Sequence, residues 1–205
     1  LKVDDPHITA FTAVIQMGAI AAVLLYFAKD IWAIASAWVG GLFKPELRGT
    51  FDHRMGWYVI VGSIPIGIVG FAGKDLIKGP LRSLWVVAIA LIAWSAVMWI
   101  AERRGTQERT ERDLRMSDAL VIGLAQCIAL VPGVSRSGAT MSAGLFRNLD
   151  RVSATRLSFF LSIPALTAAG LYELKDALGG GVGLGPTLVG TAVSFVVAYA
   201  AVAWL

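Results

Sequence analysis

Residues 118–150 read DALVIGLAQCIALVPGVSRSGATMSAGLFRNLD, and the fold turns on whether this stretch crosses a membrane or only dips into one. Counted from 118 to 150 it has 33 residues, more than the roughly 20 a single span needs and fewer than two spans plus a turn. Pro132 and Gly133 interrupt its centre, and Pro both removes a backbone donor and clashes with the preceding helical turn. Two half-helices meeting at a loop is the reading that follows, because irregular backbone is tolerated at membrane depth where protein or a cavity surrounds it. A single kinked helix is the competing reading, since membrane helices also tolerate Pro.

Composition supplies the membrane. Of 205 residues, 57% are hydrophobic and 16% charged, against about a quarter charged in soluble domains, and the mean hydropathy is +0.70. Stretches poor in charge predict an all-α polytopic membrane protein, one integral domain over 1–205. Spanning helices are expected at 8–28, 55–73, 83–101, 157–174 and 186–205, a short or interfacial helix at 31–43, and a re-entrant helix-loop-helix at 118–147. Glycines at 179–181, 183 and 185 delay the last helix to about Pro186. Leu1 is not an initiator Met, no signal stretch precedes the first span, and the last span runs to Leu205, so the sequence is expected to be a fragment of a longer protein.

One cysteine, Cys127, offers no internal disulfide, and His7 and His53 lack metal-ligand spacing. The net charge of +4 would suggest nucleic acid in a soluble domain, but here topology accounts for it. Threading the spans alternately puts Lys29, Lys44, Arg48, Arg54, Arg103, Arg104, Arg109, Arg112, Arg115, Arg147, Arg151 and Arg156 on one side. Lys2, Lys74, Lys78, Arg82 and Lys175 fall on the other, and the positive-inside rule makes the richer side cytoplasmic. An internal echo is also visible: residues 10–30 laid on 156–176 match at Ala19/Ala165, Ala22/Ala168, Leu25/Leu171, Tyr26/Tyr172, Lys29/Lys175 and Asp30/Asp176. Because the two stretches run in opposite directions on this threading, inverted-topology repeats are expected.

An ionisable side chain inside a bilayer costs on the order of 2.5–3.5 kcal/mol and is a functional candidate by default. Every carboxylate can be placed in a loop or at a segment end, whereas Arg136 sits deep in an apolar stretch. Around it, Pro132-Gly133-Val134-Ser135-Arg136-Ser137-Gly138-Ala139-Thr140 has the residue types that hold a phosphate. Gly133 and Gly138 admit close backbone approach, and Ser135, Ser137 and Thr140 offer hydroxyls and helix caps. A half-helix over 139–146 would aim its positive dipole end at an anion, and a guanidinium grips phosphate in a bidentate fork. The alternative is a Ser/Gly-rich turn whose Arg pairs with a carboxylate or with helix carbonyls. The loop residues 102–115, where Arg103, Arg104, Arg109, Arg112 and Arg115 alternate with acids, read as solvated, with no chemistry assigned. Gly62, Gly67, Gly70, Ala143 and Gly144 could leave an apolar path open between helices, although close helix packing is the commoner use of small residues.

Leu124-Ala125-Gln126 followed by residues 130–140, LVPGVSRSGAT, closely resembles the second signature of the undecaprenyl-diphosphate phosphatases of the bacitracin-resistance type. Further similar stretches are FTAVIQMGA at 11–19, GSIP at 62–65, AER at 101–103 and LSFFLSIPA at 157–165, so the resemblance covers nearly the whole chain. It implies inverted repeats with two re-entrant elements, multi-pass residence in a bacterial plasma membrane, and hydrolysis of undecaprenyl diphosphate to undecaprenyl phosphate and inorganic phosphate, recycling the carrier for cell-wall synthesis. Arg136 and Ser135 are its catalytic candidates, and Ser135, Arg136, Ser137, Gly138 and Thr140 its phosphate-binding ones. A divalent cation (Mg or Ca) is implied by resemblance, with no metal ligand in this fragment, because the family's Glu-rich signature with its Ser/Thr-Gly-His loop is absent from these residues. A lipid diphosphate and membrane lipids are the expected partners, nucleic acid is not, and a homodimer is left open. A membrane anion or lipid-phosphate transporter or flippase is the rival function, since broken helices aimed at a mid-membrane anion also describe carriers.

Overall fold

The computed structural model describes residues 6–78, 81, 83–178 and 183–204. Nine α-helices are placed among them: α1 (Pro6–Tyr26), α2 (Ala28–Phe43), α3 (Phe51–Ala72), α4 (Lys74–Lys78), α5 (Leu84–Arg104), α6 (Met116–Ile128), α7 (Arg136–Phe146), α8 (Arg151–Leu178) and α9 (Leu184–Trp204). No strand occurs among the described residues; the one β-bridge joins Arg109 to Leu149. Helices α3, α5, α9 and the Arg151–Tyr172 part of α8 are long and apolar enough to cross a membrane, and α1 with α2 forms a pair bent by 77°. Apolar side chains cover their outer faces, with Trp85 79% and Ile92 74% exposed on α5, an arrangement suited to lipid rather than water. The protein is therefore an all-α polytopic membrane protein.

Helices outrun the uncharged stretches that announce them, because caps and charged first turns extend a helix beyond its apolar centre. Thr50 caps α3 by accepting from the His53 amide, so the helix starts at Phe51 rather than near Met55. The C-terminus of α5 takes in Arg103 and Arg104, where cations suit the dipole. Helix α9 begins at Leu184, which puts Pro186 in its first turn, where the missing N–H costs nothing. In the echoed pair, α1 ends at Tyr26 while α8 continues through its matching Tyr172 to Leu178, so the break at Phe27 has no counterpart. The side chains of the His7 and Lys175 positions lie outside the described ones.

The described chain forms two compact units, residues 1–33 with 162–205, and residues 34–161. In the first, α1 and α9 pack backbone to backbone: a Cβ on Gly18 would meet the Thr191 carbonyl. Tyr199 stacks on Phe195 at 6.2 Å and meets Tyr26 edge-on at 6.1 Å.

The second unit holds α3, α5, α6, α7 and the start of α8. Gly62 on α3 meets Gly123 on α6 so closely that a Cβ at 123 would strike the Gly62 backbone, and the Tyr58 hydroxyl donates to the Leu114 carbonyl at 2.8 Å in a buried bond. Gly144 likewise packs on Ala154, whereas Gly67 has nothing near it; of the small residues, Gly62 and Gly144 are used for close packing. Gly123→Val is expected to lower stability by about 1–3 kcal/mol, read as a lower melting temperature in detergent. An unchanged melting temperature would be incompatible with this contact.

Candidate functional site

Helices α6 and α7, of 13 and 11 residues, are each too short for a bilayer core, and they pack against one another. The stretch 118–150 is thus a helical hairpin and not one kinked helix. Its tip is built by local rules. From α6 the chain leaves through Ala129 N–H to Gln126 O at 3.1 Å and Leu130 N–H to Cys127 O at 3.1 Å. Val134 N–H then closes on Val131 O at 3.1 Å. That turn has Pro132 second and Gly133 third with φ of 99°, the residue order of a type II turn. Gly133 also abuts α5, where a Cβ would lie 2.5 Å from the Val87 carbonyl. Gly133→Ala is therefore expected to cost about 1–3 kcal/mol through strain at positive φ, measurable as a lower melting temperature; an alanine variant as stable as the parent would show the turn to be otherwise built.

Helix α7 begins at Arg136, three residues before the expected 139, because Ser135 is its N-cap and accepts from the Gly138 amide at 3.1 Å. Ser137 and Thr140 consequently lie inside its first turns. Ser135 Oγ is 3.2 Å from Ser137 Oγ, and both residues are exposed. Thr140 is 1% exposed, with Oγ1 at 3.1 Å from the Arg136 and Ser137 carbonyls and 2.7 Å from Ser158 Oγ, so its hydroxyl ties α7 to α8. Capping occupies the Gly138 amide, and the Ala139 amide donates to Ser135 O at 2.8 Å; the Arg136 and Ser137 amides precede the helical ladder. The Arg136 side chain is half-buried and, among the described residues, pairs with no carboxylate. The arrangement presents a fork of donors, two hydroxyls, two amides and a helix N-terminus in one place, which suits an anion with several oxygens.

The open end of the hairpin is clamped by charges that sequence reasoning left out of the site. Asp118, 0% exposed, accepts from Arg109 through Nη2–H at 2.6 Å and Nη1–H at 3.3 Å. It also accepts from Arg147 Nε–H at 2.7 Å and from the Arg115 amide at 2.9 Å. Arg109 further donates to the Arg147 carbonyl at 2.8 Å, and its backbone exchanges bonds with Asn148 O and the Asp150 amide at 2.9 and 2.8 Å. One carboxylate thus joins the start of α6 to the end of α7. Burial alone would raise the Asp118 pKa, but the bonds from Arg109, Arg147 and the Arg115 amide outweigh it and hold the carboxyl below its ordinary value. Nor are residues 105–115 merely solvated: Glu111 N–H donates to Ser153 Oγ at 2.7 Å, and Arg156 pairs with Glu111 at 3.1 Å. Asp118 three residues into a helix behind an Arg-rich loop was the available signal.

Among the described residues no group of three or more His, Cys, Asp or Glu side chains could hold a metal ion. The implied divalent cation therefore finds no ligand set among them.

Comparison with known proteins agrees with this architecture. The family model described as bacitracin resistance protein BacA matches residues 1–205. The chain is 61% identical over 206 residues to undecaprenyl-diphosphatase 1 of Streptomyces coelicolor, covering 100% of this chain and 74% of that protein. Undecaprenyl-diphosphatase 1 of Frankia alni is 59% identical, with 100% and 74% covered, and the undecaprenyl-diphosphatase of Acidothermus cellulolyticus 54% identical, with 100% and 75% covered. With its hairpin, its arginine loop and a match along its whole length, the chain belongs to the bacitracin resistance protein BacA family.

Proposed function

We propose that the protein hydrolyses undecaprenyl diphosphate to undecaprenyl phosphate and inorganic phosphate, recycling the lipid carrier for cell-wall synthesis from within a bacterial plasma membrane. The observation that carries this reading is Arg136, half-buried at the capped N-terminus of α7 with no carboxylate paired to it among the described residues. The names of the relatives support the same substrate.

Hydrolysis breaks the bond between the terminal phosphorus and the bridging oxygen, adds water's oxygen to phosphorus, and leaves the new negative charge on the lipid monophosphate. Such a reaction is governed by positioning and charge neutralisation. Arg136 forks onto non-bridging oxygens of the terminal phosphate, and the Ser137 hydroxyl and the free amides of the first turn of α7 donate to the others, while Gly138, instead of admitting the phosphate as the sequence suggests, lets that turn pack on Met98. Thr140 holds that turn against Ser158. Ser135 Oγ is engaged by the Gly138 amide and Ser137, neither of them a base, so its role is to cap and to donate to phosphate rather than to attack it. A divalent cation belongs to the proposal, with ligands outside the described residues. The cytoplasmic side is the one bearing the Asp118 clamp, by the positive-inside rule.

Phosphate release from a prenyl diphosphate, measured on the full-length protein in detergent, tests this directly. Release supports the phosphatase; a folded protein that binds phosphate and moves it across vesicles without releasing it would be a carrier.

A further inference from the structure

Among the described residues, two buried donors near the hairpin tip lack partners, one on α5 and one on α6. On α5, the Gly133 contacts fall on Val87 and Ala90 and the Gly138 contact on Met98, where a Cβ at 138 would lie 2.9 Å from Sδ. Positions 87, 90, 94 and 98 follow one another at three- and four-residue steps and form one stripe of the helix. Trp94 is therefore level with the residues between Gly133 and Gly138, which include Ser135, Arg136 and Ser137. Its indole Nε1–H is buried and has no hydrogen-bond partner. On α6, Gln126 stands in the last turn before the loop, on the same stripe as Ala119, Ile122 and Gly123. It is 0% exposed, and neither its Oε1 nor its Nε2 is bonded.

A buried polar group without a partner is destabilising, whereas Met at 126 would fill nearly the same volume, and Phe at 94 most of it, with no polar atom to satisfy. Two such groups, one level with the anion-binding turn on α5 and one in the helical turn before it on α6, point to a ligand that accepts from Trp94 Nε1–H and Gln126 Nε2–H. We propose that Trp94 Nε1–H and the Gln126 amide are two further donors of the phosphate site, closing it from α5 and α6 while Arg136 and the α7 N-terminus close it from the loop. Neutral donors suit a diphosphate whose second phosphate lies beyond the reach of a single guanidinium. The inference rests on the phosphatase reading for its substrate.

The apolar variants Trp94→Phe and Gln126→Met in the full-length protein separate a binding role from a structural one. Each is expected to raise KM for a prenyl diphosphate about three- to tenfold, as loss of one neutral hydrogen bond does, with kcat nearly unchanged. Melting temperature without ligand should stay level or rise in Gln126→Met and fall only slightly in Trp94→Phe, whose ring is smaller. A KM within about twofold of the parent in either variant overturns the pair, as does a lower melting temperature with unaltered KM. If the parent releases no phosphate, the function fails first, and binding of a non-hydrolysable methylene-diphosphonate prenyl analogue decides the donors. Weaker binding by both variants keeps them in an anion site; binding equal to the parent's overturns them.

Discussion

Replacing Arg136 with Lys in the full-length protein is expected to lower turnover roughly 10²- to 10³-fold, the usual effect of losing one well-placed donor to developing negative charge. Lysine keeps the positive charge but not the planar fork that meets two phosphate oxygens at once. Expression and melting temperature should hold, because Arg136 pairs with no carboxylate among the described residues and its removal orphans none. Turnover near that of the parent would remove Arg136 from the mechanism, whereas loss of folded protein would make it a structural residue. Arg136→Lys therefore tests the fork separately from the charge.

Asp118→Asn should act on stability instead, lowering it by about 3–5 kcal/mol, since removing one member of a buried ion group leaves the others unneutralised. Arg109 and Arg147 would both lose their carboxylate, and the two ends of the hairpin would lose their shared anchor. The pH dependence has a definite sign. Because the folded state holds the Asp118 carboxyl below its ordinary value, its contribution is fully present above the unfolded pKa of about 3.9. It disappears as pH falls through the lowered folded value. Parent and Asp118→Asn should thus differ most in melting temperature near neutral pH, begin to converge below about pH 4 and meet only below the lowered folded value; a gap that does not narrow over that descent would mean the clamp does not depend on charge.

Much of the site could be read from residues 132–140, because turn chemistry is local: Pro then Gly demands a tight turn, and Ser followed by a helix-compatible run demands a cap. Even so, the cap was placed within a group of three hydroxyl residues, and only the Gly138 amide on Ser135 fixed it. Of the Asp118 clamp only the acid behind an Arg-rich loop is legible and not its pairing, since it joins residues 9 and 29 positions apart and sequence shows charges without showing partners. Counting Arg109 as one more cation on the expected cytoplasmic side is silent about its bond to Asp118. The level of Trp94 is equally hidden, for it depends on how α5 slides against α7, which Gly133 and Gly138 settle only in three dimensions. Apolar runs located the long helices but not their ends, which capping and charged turns extend.

The most direct measurement is phosphate release from a prenyl diphosphate by the full-length protein, run for the parent and for Arg136→Ala, each with and without a divalent cation. Release that needs both the arginine and the cation is the predicted result. Release by Arg136→Ala at the parent rate would contradict the account, since the loop at 132–140 would then not be the clamp on the phosphate.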